Sequence, residues 1–248
     1  MMRSYLCLFA TITLFAAPAA AQDQRVFLNL NYGTVSQKQD VRQTATFSLY
    51  DETGTWDVDH VIESGSFLDI GGGFRLSGNF FVGASYTKGS KQTRDVTVTA
   101  SVPSPIFTDT FRNATGTASG LEHKERALHL QALWHVPVTV EFGVTLFGGP
   151  TFFTVEDELV ESIATVENAD FSAVSINNIA VAGQSNTSTG FHVGLDAQYM
   201  FIKNAGLGAM LRYSKGSVDL TAPGNTTSDT LKIDTGGLEI GAGLRFRF

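Results

Sequence analysis

The sequence predicts an all-β fold: an eight-stranded antiparallel up-and-down β-barrel that crosses a membrane on its strands. Three observations lead there. Eight segments alternate between apolar and other residues with a period of two, the pattern of a strand with one apolar face. The connections between those segments alternate between short and long. The apolar faces carry no charged residue. Composition agrees. Of 248 residues, 43% are apolar and 17% charged, with 25 Gly and 19 Phe, whereas soluble domains carry roughly 25% charged residues. So many apolar and aromatic residues exclude a disordered chain, and no heptad suggests a coiled coil. A formal charge of −7 with no basic stripe counts against a nucleic-acid partner.

The first segment reads as an address. Met1 to Ser4 is a short n-region containing Arg3, and Tyr5 to Ala17 is an apolar h-region. Ala19 and Ala21 supply the small-x-small pattern, so cleavage before Gln22 is expected. The run is too short for a spanning helix. Residues 1–21 are thus expected to be a cleaved signal peptide and 22–248 the barrel domain. Cys7, the single cysteine, falls inside the signal, so the mature chain is expected to have no thiol chemistry. Export without disulfides suits a bacterial envelope protein.

The strands follow in order. Val26–Tyr32 is the first, in weaker alternation. Leu68–Leu76 is the second, with Leu68, Ile70, Phe74 and Leu76 on one face and Asp69 and Arg75 on the other. Phe80–Tyr86 is the third. Leu128–Val136 is the fourth, with His129 and His135 opposite its apolar face. Phe142–Phe152 is the fifth. Phe191–Phe201 is the sixth, with His192 and Asp196 on the polar face. Leu207–Tyr213 is the seventh and Leu238–Phe248 the eighth, the latter alternating with Glu239, Arg245 and Arg247. Each approaches the about 9–11 residues needed to cross a bilayer tilted.

Ser77-Gly78-Asn79, Pro137-Val138-Thr139 and Lys203-Asn204-Ala205 are short connections with turn chemistry. The other four, roughly 34–65, 88–124, 154–189 and 215–235, are long. Turns on one rim and four long extracellular loops on the other is the arrangement of an outer-membrane barrel. A soluble carrier barrel would put its charges outside. Here, shifting the register by one residue would place Asp69, Arg75, Glu141, Asp196, Arg212, Glu239 and Arg245 in lipid. An Arg at the bilayer midplane costs about 2–4 kcal/mol, so that register is excluded. Tyr32, Tyr86, Trp134, Tyr199, Phe201, Tyr213 and Phe248 lie near strand ends, where aromatic girdles belong.

At Gly243-Leu244-Arg245-Phe246-Arg247-Phe248 the chain resembles a bacterial outer-membrane protein. Leu244, Phe246 and Phe248 resemble the terminal signal read by the barrel-assembly machinery. Phe67 to Arg75, followed by the turn at Asn79, resembles hairpins of the same group. Together with the signal segment and the strand count, the chain is similar to the small OmpA/OmpX/OmpW-like outer-membrane β-barrel family. That resemblance implies an outer-membrane location among lipid and lipopolysaccharide. Its members include adhesins, stabilisers and small-solute channels, so it leaves the role open. No soluble wall-binding domain is expected after Phe248.

Inside an eight-stranded barrel, side chains fill the lumen, and a charge there needs a partner. Counting from the short turns puts Asp69, His129, Asp196, Arg212 and Glu239 near mid-height. Arg212 is expected between Asp196 and Glu239 as the centre of a plug. Arg75, Glu141, Arg245 and Arg247 are expected as a second layer nearer the short turns. No catalytic role is expected: His60, His123, His129, His135 and His192 lie in no recognisable motif, and Gly-x-Ser-x-Gly and His-Glu-x-x-His are missing. No cofactor or metal is expected either. The third long loop is acidic (Glu156, Asp157, Glu158, Glu161, Glu167, Asp170) and the second slightly basic, with Lys88, Lys91, Arg94, Arg112, Lys124 and Arg126. The first is expected to be a solvated face, and the second could meet lipopolysaccharide phosphates. Segments 44–50, 56–62, 96–102 and 173–181 have strand character. They are expected to extend strands past the membrane rather than to span it, since Asp51, Glu52, Asp57, Asp59 and the Pro103-Ser104-Pro105 break oppose burial in lipid. Two roles remain open: a plugged, non-enzymatic barrel serving envelope integrity or surface interaction, and a narrow passive channel for small or apolar solutes.

Overall fold

The computed structural model describes residues 25–221 and 230–248. The signal segment, with Ala19, Ala21 and Gln22, lies outside the described residues. Eleven strands are described: β1 (Val26–Ser36), β2 (Gln39–Leu49), β3 (Glu52–Ile62), β4 (Gly65–Ser77), β5 (Phe80–Gly89), β6 (Gln92–Pro103), β7 (Phe111–Pro137), β8 (Phe142–Glu167), β9 (Val174–Ile202), β10 (Ala205–Thr221) and β11 (Thr230–Arg247). Every pairing is antiparallel.

The pairings make a circuit. From β1 they pass to β4, β5, β7, β8, β9, β10 and β11, and β11 pairs with β1 again. The backbone of Phe248 exchanges hydrogen bonds with Val26 at 2.8 and 2.9 Å, so the last residue zips onto the first strand. Each alternating segment of the sequence lies on one of these strands. Their outward residues form a continuous apolar band, including Leu68, Phe74, Leu128, Phe191, Leu195, Leu207 and Ile240, all well exposed. Such a large exposed band is what lipid covers.

In the four long connections, the segments 44–49, 56–62 and 96–102 lie in β2, β3 and β6, and 174–181 begins β9. The described residues of these connections are mostly strand. β2 pairs with β3 along its length, β3 pairs with β6 through Thr55–Val58, and β6 pairs with the distal half of β7. β8 and β9 stay paired out to Glu167 and Val174. β7, β8 and β9 run 27, 26 and 29 residues, far beyond a bilayer crossing. What holds this extension together is a hydrophobic core of its own. Trp56, Val58, Val96, Val98, Ala100, Val102, Leu121 and Val160 are all buried there. Alternating β-branched and small residues on facing strands give that core a strand period of two. Gln37 and Gln39 close the extension against β11. Gln37 donates to the Asp234 carbonyl at 2.6 Å, and the Asp234 amide donates to Gln39 Oε1 at 2.9 Å.

Candidate functional site

The lumen of the circuit is filled at mid-height by one arginine. Arg212 points inward from β10, directly opposite Glu239 on β11, and is 1% exposed. All three of its guanidinium nitrogens are bonded. Nε donates to Glu239 at 3.0 Å, Nη1 to Asp69 at 3.1 Å and Ser85 at 3.3 Å, and Nη2 to Thr87 at 2.6 Å and to Glu239. Asp69 comes from β4, three strands around the circuit from β10, so the arginine bridges the lumen. Its carboxylate also accepts from Asn31 at 3.0 Å and Thr87 at 2.8 Å, and Ser214 donates to Glu239 at 2.8 Å. Both carboxylates and the arginine are therefore paired as burial demands.

A chain of small polar groups continues from Thr87. His129 is fully buried, 3.2 Å from Thr87 and 2.9 Å from Thr151, and Thr151 is 2.9 Å from His192. The rings of His129 and His192 meet edge-on, with centroids 4.8 Å apart. Thr87 and Thr151 escape a search for charges; their signal is inward register alone, the same register that puts His192 on the polar face of its strand.

Asp196 stands elsewhere than expected. It faces Met210 in the β9–β10 register, one pleat nearer the short turns than Arg212, which faces Gly194. Asp196 instead accepts from Nε of Arg245 at 3.0 and 3.1 Å. Gly208 makes room for this pair, since a Cβ there would lie 2.4 Å from Arg245 Nε. Arg247 donates to Asn29 at 2.8 Å and to Gln198, and its guanidinium sits 5.3 Å from the centre of the Phe27 ring. Arg75 lies 5.3 Å over Phe81. Glu141 is the second correction. It is exposed in the 138–141 turn, where Thr139 Oγ1 accepts from its amide at 3.3 Å. The turn is longer than the sequence suggests, so the inward face of β8 begins after it. Between the Arg212 and Arg247 levels lies a cavity of about 50 Å³ lined partly by Phe27, Leu133, Phe147 and Met210.

The two charged loops meet one another. Arg94 pairs with Asp157 at 2.6 Å, Arg126 with Glu156 at 2.8 Å, and Arg112 with Glu167. Asp157 is thus buried rather than part of a solvated face. Opposite net charge on the two loops is the sequence signal for this pairing. Around Asp157 sits a polar layer at the base of the extension. Arg94 Nη2 donates to His60 Nδ1 at 3.1 Å, so Nε2 of His60 carries the proton toward Gln43 Oε1, also at 3.1 Å. His123 lies 3.1 Å from Glu125 and 3.4 Å from Asp157. Burial and the neighbouring Arg94 push His60 down to about 4. Burial also opposes charge on His123, but hydrogen bonding and attraction from Asp157 and Glu125 outweigh it and raise His123 to about 9. Among the described residues, no group of three or more His, Cys, Asp or Glu is placed to hold a metal ion.

A closed circuit of strands with a lipid-facing apolar band defines a transmembrane β-barrel. Residues 7–246 match the outer membrane protein beta-barrel domain, and the chain belongs to that family. Its place is the bacterial outer membrane. Solved structures similar to it include Neisserial surface protein A, at 13% identity and a TM-score of 0.45 over 90% of this chain and 97% of that one. OprG from Pseudomonas aeruginosa is similar at 12% identity and 0.48 over 91% and 96%. The outer membrane protease OmpT from Escherichia coli is similar at 10% and 0.49 over 90% and 97%. No curated protein matches the sequence.

Proposed function

We propose that the circuit is an eight-stranded transmembrane barrel with a plugged lumen and no catalytic role, and that its extension serves envelope integrity or surface contact. One observation carries this reading: every guanidinium nitrogen of Arg212 is bonded, to side chains from β4, β5 and β11, at the height where the lumen is narrow enough for side chains to fill. Moving that arginine would leave the buried carboxylates of Asp69 and Glu239 without their cation, which opposes opening. The outward, alternating Leu244, Phe246 and Phe248 serve in this reading as the signal taken by the barrel-assembly machinery, and lipopolysaccharide is the surrounding partner.

A second reading, a narrow passive channel for small or apolar solutes, draws on the cavity below Arg212. Single-channel recording separates the two. Protein extracted from outer membranes and placed in planar bilayers is expected to give no steps. Arg212→Ala is expected to give small, frequent ones. Steady steps from the unaltered protein would replace the plugged barrel with the channel.

A further inference from the structure

Three turns meet at the far end of the extension: 50–51 between β2 and β3, 104–110 between β6 and β7, and 168–173 between β8 and β9. They are tied to one another. The Asp109 amide donates to Glu52 at 3.0 Å, and Tyr50 donates to Glu167 at 2.8 Å. Arg112 donates to the carbonyls of Pro103 at 2.7 Å and Phe171 at 3.0 Å while pairing with Glu167. Clamped in this way, the turns present Tyr50, Ile106, Phe107, Phe111 and Phe171 to solvent, with Phe107 65% exposed. These side chains lie beyond the extension's own core and far from the lipid-facing band, so neither explains their exposure.

The backbone shows that the display is maintained against a local preference. Among the described residues, the non-glycine positions with positive φ are Tyr50, Asp51, Asp109 and Phe171, and all four lie in these turns. That conformation disfavours residues with a side chain, Asp least and aromatics strongly, and a two-residue hairpin turn of this hand favours Asn and Gly. Aromatic residues stand at two of the four positions instead. Strain of this kind concentrates where a surface has a task. Charge selects the partner. The segments 49–52, 103–111 and 167–173 hold Asp51, Glu52, Asp109, Glu167 and Asp170 and no Lys or Arg. Arg112 beside them is committed to Glu167, and Ser172 holds Asp170 ionised by donating to it at 2.7 and 3.1 Å.

We propose that the three turns form a preorganised docking surface for a protein whose contact face is apolar and cationic. This rests on the reading that the extension serves surface contact, and it names the partner's chemistry. Anionic glycans, nucleic acids and acidic lipid headgroups are disfavoured by like charge. The turns are already tied together, so little ordering opposes binding.

The test uses the full protein in phosphatidylcholine nanodiscs, with empty nanodiscs as the control. The probes are a Lys–Leu repeat peptide, its Glu–Leu counterpart and heparin. The Lys–Leu peptide is expected to bind and to weaken with added salt, while the other two do not. Phe107→Ser with Phe171→Gly is expected to weaken that binding roughly tenfold or more. Asp51→Asn with Asp109→Asn and Asp170→Asn, which keeps shape, is expected to weaken it and remove its salt dependence. The shift between boiled and unboiled protein on detergent gels reports folding of each variant. Equal binding of the Glu–Leu peptide or heparin would overturn the proposal, as would unchanged binding by either folded variant or self-association of nanodiscs in place of peptide binding. Failure of the plugged-barrel reading would appear separately, as conductance of the unaltered protein.

Discussion

Near the short turns, the wall of this protein is apolar outside and polar inside; in the extension, the same strands are polar outside and apolar inside. On β7, Leu128 and Leu130 face out while His129 is buried, yet further along the strand Glu122 and Lys124 face out while Leu121 is buried. The change follows the solvent. Outside the lower ring is hydrocarbon, so apolar residues are stable there and the lumen takes the polar ones. Outside the extension is water, so burial runs the usual way. The strand itself need not break to make this exchange. β7 carries a left-handed Gly120 where its register with β6 shifts, and its inward positions pass from odd residues such as Leu121 to even ones such as Ala118. β8 shifts register with β9 just past Val160, which packs into the extension's core.

The largest effect that would break this comparison is loss of the lumenal charge centre. Arg212→Ala leaves two buried carboxylates without their cation, which costs about 3–5 kcal/mol where a buried pair is broken. A clear drop in the temperature at which the protein loses its unboiled gel mobility is expected. Substituting a buried residue of the extension such as Val98→Ala opens a cavity and is expected to cost about 1–2 kcal/mol. If Arg212→Ala proved the milder of the two, the polar lumen would not be what holds the ring.

A sharper test places one substitution in each region on a single strand. Leu195 and Thr187 both lie on β9. Leu195 is an outward position in the apolar band, and Thr187 lies in the extension, where its hydroxyl meets that of Thr154 at an exposed site. Leu195→Arg is expected to cost about 2–4 kcal/mol in lipid. Thr187→Arg is expected to change stability by less than about 1 kcal/mol. Denaturant titration of protein folded in phosphatidylcholine vesicles measures both. Equal penalties would mean that the lipid boundary does not fall between them.

The asymmetry also explains what the sequence made legible. The ring strands stand out because lipid demands an uncharged face, and that demand leaves a period of two in every one of them. Arg212 and Glu239 can be placed at one height by counting forward from the short turn at 203–205 and back from Phe248, which the register bears out. Asp196 stands one pleat from its expected height, a stagger that composition does not encode, and Glu141 lies in a turn longer than the sequence suggests. Strand character is legible in 44–50, 56–62, 96–102 and 173–181, but the extension's shared core depends on β3 pairing with β6, out of sequence order, which no local pattern reveals. The lumenal Thr87 and Thr151 carry no such signal, because small polar residues look alike whether they line a lumen or face water.

The smallest expected effect is a pH dependence of the extension, where no contact is removed. His60 is held neutral, at about 4 against an ordinary value of 6.5. As pH falls from 6.5 toward 4, the unfolded chain takes up a proton that the folded one refuses, so stability falls on the acid side. His123 is held protonated, at about 9. As pH rises from 6.5 toward 9, the folded chain keeps a proton that the unfolded one releases, and that stabilisation is lost on the alkaline side. The charges facing these rings are Arg94 on β6, Asp157 on β8, Glu125 on β7 and Asp59 on β3. The extension is therefore expected to resist proteolysis best near pH 6.5. His60→Gln should flatten the acid limb and leave the alkaline one, and His123→Gln should do the reverse. If both variants kept both limbs, the polar layer between the two cores would not be the origin of the dependence.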